Sequence, residues 1–214
     1  MRPRVVFVGG SILELLVVEK VSPVPRATKD VDIVVEATTT RRYHVFGEEL
    51  ERRGFVVDTE DGAPICRRVL DGRIKVDVMS TEGGALGFSN RWYRAALRDA
   101  VEYDLAPGLA IRMPTRPVYL AMKLEAFGDR GAGDYRASHD VEDLITVIDG
   151  SPRIVPEIAE APEEIRNYVA ATVRRLPSDG RFVEAIPGHL RGDLASQARF
   201  PLVLERLRGI ADLP

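Results

Sequence analysis

Three short segments carry residue types suited to phosphate and divalent-cation chemistry. Asp30-Val31-Asp32 sets two carboxylates two positions apart. On an extended strand that spacing turns both toward one face, where they can bind the same ion. Lys75-Val76-Asp77-Val78-Met79 adds a third carboxylate from a later segment, and Gly9-Gly10-Ser11 follows a short apolar run. Glycines at such a turn let the backbone approach a phosphate closely, with amides at a helix start facing the anion. Phosphoryl or nucleotidyl transfer needs such a set, because metal ions held by carboxylates neutralise a triphosphate and its departing pyrophosphate. Each piece also has a plainer origin. A Gly-Gly-Ser can be only a turn, an Asp-x-Asp only a solvated strand edge, and Asp77 only a surface acid.

The flanking patterns indicate the elements that position these residues. Arg4–Val8 reads as a buried strand stopped at Gly9-Gly10, with Ser11 capping a helix over Ile12–Lys20 and a proline-containing loop after it. Asp30–Val35 alternates and is β-branched, which predicts a second strand. A helix over Arg41–Arg53 follows, capped by Thr39 or Thr40 and stopped by Gly54. Phe55–Thr59, Ile65–Leu70 and Arg73–Met79 read as three more strands, with Asp71-Gly72 as a hairpin turn. Leu109–Met113 is one late strand. Beyond it the pattern is helical over Val118–Phe127, Ser138–Ile148, Ile154–Val173 with proline interruptions, and Ala195–Ile210. The expected architecture is α+β, with residues 1–114 as a small mixed sheet with flanking helices and 115–214 as a helical part.

Composition limits the alternatives. The 214 residues are 45% hydrophobic and 29% charged, as in an ordinary globular protein. Cys66 is the single cysteine and only His44, His139 and His189 are histidines, so a thiolate or histidine metal site is disfavoured. A metal held by carboxylates would be Mg²⁺ or Mn²⁺. Net charge is −3, without a block of like charge, so there is no global footprint for nucleic acid. The N-terminal apolar run is interrupted by Gly-Gly and Glu14 and is too short to span a bilayer, which points to a cytoplasmic protein with no membrane partner. Only four of the 30 basic residues are lysines, which makes Lys123, within an otherwise apolar helix, more informative. Arg91, Arg94 and Arg98 recur at helical spacing beside Trp92 and could grip an RNA end, or could be a solvated face with a core tryptophan.

The order Gly9-Gly10-Ser11, Asp30-x-Asp32, Asp77 resembles the signature of the DNA polymerase β-like nucleotidyltransferase superfamily. Arg26-x-Thr28-x-Asp30-x-Asp32 is similar to the branch of AbiEii-type and MenT-like toxins, as is the later run of Lys123, Arg130 and Asp140-Val141-Glu142-Asp143. The resemblance covers roughly residues 4–148. It implies a nucleotidyltransferase fold in which Asp30 and Asp32 bind two Mg²⁺ ions and Asp77 helps activate an acceptor hydroxyl. It assigns Gly9, Gly10, Ser11 and Lys123 to the triphosphate of an NTP, and Arg130 and Asp140 to the nucleotide site. The helical part would thus contribute to that site. The implied acceptor is tRNA or a protein side chain, and the implied partner a cognate antitoxin. His139, in place of a basic residue, and the long Gly131–Ser138 connection depart from that pattern. Two other readings compete. Asp30-Val31-Asp32 also imitates the nucleophile pair of a HAD-type phosphatase, and a degenerate nucleotide-binding or antitoxin-like module could keep the motif without catalysis.

Overall fold

The computed structural model describes residues 5–19, 28–37, 39–82, 86, 89–130 and 133–214. Arg26 of the signature and the first two residues of the Gly131–Ser138 connection lie outside them. The chain is α+β and divides into two compact units, Met1–Ile12 with Arg26–Thr115, and Leu13–Pro25 with Arg116–Pro214.

In the first unit, β1 (Val5–Val8), β2 (Asp30–Val35), β3 (Phe55–Val57), β4 (Arg67–Leu70) and β5 (Ile74–Ser80) form one mixed sheet in the order β1-β2-β5-β4-β3. Only β2 and β5 run parallel; the other pairs are antiparallel. Helix α2 (Thr40–Glu51) starts where the Thr39 hydroxyl accepts the amide of Arg42 at 3.3 Å. Its buried residues Tyr43, Phe46, Gly47 and Leu50 follow the helical period and cover one sheet face. There they meet Ile33, Val35, Cys66, Val76 and Val78. Burying each such aliphatic or aromatic side chain stabilises the unit by roughly 1.5–3 kcal/mol. The tyrosine hydroxyl of Tyr43 donates to the Val78 carbonyl at 2.9 Å, tying helix to sheet.

The expected late strand is half of a two-stranded ribbon. Its partner β6 (Val101–Ala106) alternates Val101, Tyr103 and Leu105 with Glu102 and Asp104, and pairs with β7 (Leu109–Met113). The short helix α3 (Tyr93–Arg98) precedes it.

The helix expected over Ile12–Lys20 is much shorter. Gly9–Ile12 form a 3-10 turn, and α1 spans only Leu13–Leu16. Beyond it the amides of Val18 and Glu19 both donate to the Gly150 carbonyl, at 2.9 and 3.0 Å, so the chain leaves the helical path. In the second unit α4 (Arg116–Arg130) is buried around most of its circumference, as a central helix must be. It packs with α5 (His139–Gly150), α6 (Ile154–Ala159) and α7 (Glu163–Val173). The proline-interrupted run over Ile154–Val173 is two helices, parted before Pro162. The chain continues through α8 (Gly180–Ala185), α9 (Leu194–Gln197) and α10 (Phe200–Ala211). Ile158, Ile165, Val169, Val203, Leu207 and Ile210 are fully buried, so the last third of the chain completes the core of this unit. No described helix is long and apolar enough to cross a membrane.

Candidate functional site

The alternation of β2 separates its two chemistries. Val31, Ile33 and Val35 face α2, which leaves Asp30 and Asp32 on the opposite face. Parallel pairing sets Asp32 directly beside Asp77 of β5. Antiparallel pairing sets Val8, the last residue of β1, beside Asp32 on the other side. The chain then turns at Gly9, whose φ of +70° is one that L side chains rarely adopt. A Cβ at Gly9 would lie 1.9 Å from Oδ2 of Asp32, so this carboxylate packs directly against the turn. The sheet thus brings Gly9, Asp32 and Asp77 together. The Ser11 hydroxyl donates to the Val8 carbonyl at 3.1 Å and closes the turn beside them. The Thr28 hydroxyl lies 3.0 Å from Oδ1 of Asp30 and 3.1 Å from its carbonyl oxygen.

Sequence reasoning missed Arg67, the residue that dominates the electrostatics of this face. It stands on β4 opposite Asp77. Its Nε donates to Oδ1 of Asp77 at 2.7 Å, and its Nη2 donates to Oδ2 of Asp77 at 2.8 Å and to Oδ2 of Asp30 at 2.6 Å. The Arg67 side chain is 16% exposed and that of Asp77 12%, so these bonds are shielded from water. The hydrogen bonds to Asp77 hold the guanidinium pKa above its ordinary value, against the opposing effect of desolvation. Across the sheet, burial pushes the Cys66 thiol up to about 11, with the Asp77 charge adding to it, and the Tyr43 hydroxyl up to about 12. Neither is a nucleophile near neutral pH.

No family model matches the chain, and no curated protein matches it either. Among the described residues no three His, Cys, Asp or Glu side chains are already arranged to hold a metal ion. Two of the three acids instead surround a guanidinium, one nitrogen of which bonds an oxygen of each. Asp30 and Asp77, gathered around that cation, offer carboxylate oxygen on one sheet face, the donor type that Mg²⁺ and Mn²⁺ take.

The other sequence-derived residues belong to the helical unit. Lys123 lies on α4 with its side chain 13% exposed, which excludes a solvated lysine. Its ammonium is 2.5 Å from Asp143, which is fully buried, and 3.3 Å from Asp140. Asp140 also accepts from Arg130 at 2.9 Å. Asp140 and Asp143 share a face of α5, as their spacing requires, while the N-cap of that helix is Ser138. Both acids therefore anchor Lys123, and the more buried Asp143 does so at the shorter distance. Among the described residues Oδ1 of Asp143 is buried without a hydrogen-bond partner, so its charge depends on the ammonium beside the other oxygen.

The arginine stripe is not an exposed stacking platform. Trp92 is 6% exposed and belongs to the core, with the Arg91 guanidinium 4.7 Å from its ring centre. Arg94 is paired with Glu82 and Arg98 with Asp99.

Proposed function

We propose that the acid face of the sheet binds a divalent metal and an NTP, and that the protein is a nucleotidyltransferase of the DNA polymerase β-like fold. The observation that carries this reading is the packing of the Asp32 carboxylate on the Gly9 turn, with Asp77 at the adjacent register position. A phosphate-approaching turn and two acids are thereby joined in one place. Asp30, Asp32 and Asp77 would hold Mg²⁺ or Mn²⁺, which supplies charge neutralisation of the triphosphate and of the departing pyrophosphate. The acceptor oxygen bonds to the α-phosphorus, the bond from that phosphorus to pyrophosphate breaks, and Asp77 takes the hydroxyl proton. Gly9, Gly10 and Ser11 line the approach of the phosphates. The nucleotide roles of Lys123, Arg130 and Asp140, an acceptor such as tRNA or a protein side chain, and an antitoxin partner rest on the resemblance alone. Asp30 and Asp32 open β2 rather than end the first strand, which speaks against the phosphatase alternative.

One observation favours a second reading. The ion pairs of Arg67 with Asp30 and Asp77 are what a degenerate module, with its acids used for structure, would display.

Ligand-induced stabilisation separates the two readings. Mg²⁺ with a non-hydrolysable NTP at a hundred times its Kd stabilises by roughly 2.7 kcal/mol, on the order of 5–10 °C in Tm for a chain of this size. The active reading expects that rise in the natural protein and its loss in Asp32→Asn, with the fold intact. A degenerate module with its acids used for structure gives no metal-dependent rise in either protein, and one that still binds nucleotide gives the rise without transfer of α-label.

A further inference from the structure

We propose that Arg67 is a resident counter-ion that a divalent cation must displace, so that this residue sets the metal affinity of the acid face. The proposal rests on the reading of Asp30, Asp32 and Asp77 as metal ligands. Three carboxylates on neighbouring positions of one sheet face repel one another, and a cation among them is required to hold them together. Arg67 supplies it. Its planar fork engages both oxygens of Asp77 and one of Asp30 at 2.6–2.8 Å, within 16% exposure.

Two features make this guanidinium a competitor rather than a companion of the metal. The bidentate fork occupies the side of the Asp77 carboxylate where its oxygens present their paired lone pairs, the positions a metal also uses. Retaining the guanidinium would also leave its charge a few ångströms from a divalent ion, in a place where water screens poorly. Among the described residues the hydrogen bonds of the Arg67 side chain go to Asp77 and Asp30, so the acids of the site are what hold its fork in place. A metal that takes the acids releases the fork, and the metal-free protein keeps its acids ordered without an ion.

The test is Mn²⁺ binding by electron paramagnetic resonance, with the natural protein, Arg67→Gln and Arg67→Lys, all without nucleotide. Removing one unit charge at this distance is expected to tighten Mn²⁺ binding by at least about ten-fold in Arg67→Gln. Arg67→Lys, which keeps the charge and loses the fork, should fall between the two. Equal or weaker binding by Arg67→Gln would mean that the fork orients the acids for the metal, and overturns the proposal while leaving the metal site standing. No Mn²⁺ binding by any of the three proteins overturns both. A second measurement needs only the natural chain, should Arg67→Gln fail to fold. The Nε–H resonance of Arg67, held by its bond to Asp77, should shift and exchange faster with solvent on addition of Mg²⁺ but not of NaCl at equal ionic strength. A resonance that stays in place while Mg²⁺ binds also overturns the proposal.

Discussion

Lys123→Ala is expected to destabilise the helical unit by roughly 3–5 kcal/mol, the cost of leaving a buried charge without its partner. Asp143 is fully buried and one of its oxygens has no hydrogen-bond partner among the described residues, so the ammonium at 2.5 Å is what makes its charge tolerable. Tyr119, whose hydroxyl donates to Oδ2 of Asp143 at 3.3 Å, is too distant a donor to replace it. Arg130→Ala removes only an arginine that is 71% exposed, and should cost less than about 1 kcal/mol. Chemical denaturation of both variants checks the contrast. A cost near zero for Lys123→Ala would show that the pair contributes nothing. The same pairing affects any nucleotide experiment on Lys123. Loss of NTP binding in Lys123→Ala cannot be separated from loss of structure, whereas Lys123→Met combined with Asp143→Leu removes both charges and restores packing. If Lys123 contacts the triphosphate, the double variant should be folded and bind NTP weakly.

Gly9→Ala should cost about 1–2 kcal/mol from backbone conformation alone, because φ of +70° is unfavourable for any residue with a Cβ. The larger effect is on the site. The new methyl carbon would fall 1.9 Å from Oδ2 and 2.6 Å from Cγ of Asp32. Asp32 cannot retreat, since β2 is paired on both sides, so its carboxylate must rotate off the acid face. The Mg²⁺–NTP stabilisation should then disappear. Gly72→Ala separates clash from strain. Its φ is +65°, yet a Cβ there meets nothing within 4 Å, so it should lose comparable stability and keep the full metal response. Full retention of that response by Gly9→Ala would contradict the placement of the turn in the site.

The acids were readable because strand alternation is a local property. Val31, Ile33 and Val35 identify the covered face of β2 without reference to any other segment, and Asp30 and Asp32 follow on the other. The cap at Thr39 was equally local. Arg67 was not readable, because its place depends on register. A two-residue turn at Asp71-Gly72 would pair Leu70 with Arg73 and set Arg67 beside Val76. The turn closes with the Arg73 amide on the Leu70 carbonyl, but the ladder resumes at Leu70 and Ile74. That single extra residue moves Arg67 opposite Asp77 and turns it to the acid face. Adjacent Arg67 and Arg68 gave no alternation to decide between them. The pairing of Lys123 with Asp143 was also beyond sequence, since spacing gave both acids the same helix face and only packing distinguishes their burial.

Transfer of a nucleoside monophosphate carries the α-phosphate to the acceptor and releases the β- and γ-phosphates as pyrophosphate, so the position of the label on the NTP reports it. Each of the four NTPs, labelled at the α-phosphate, is incubated with the protein, Mg²⁺ and total RNA, with Asp32→Asn as the control. The expected result is α-label attached to RNA or to protein with release of pyrophosphate, dependent on metal and absent in Asp32→Asn. Release of γ-label as free phosphate without α-label transfer, or equal labelling by Asp32→Asn, would contradict the assignment.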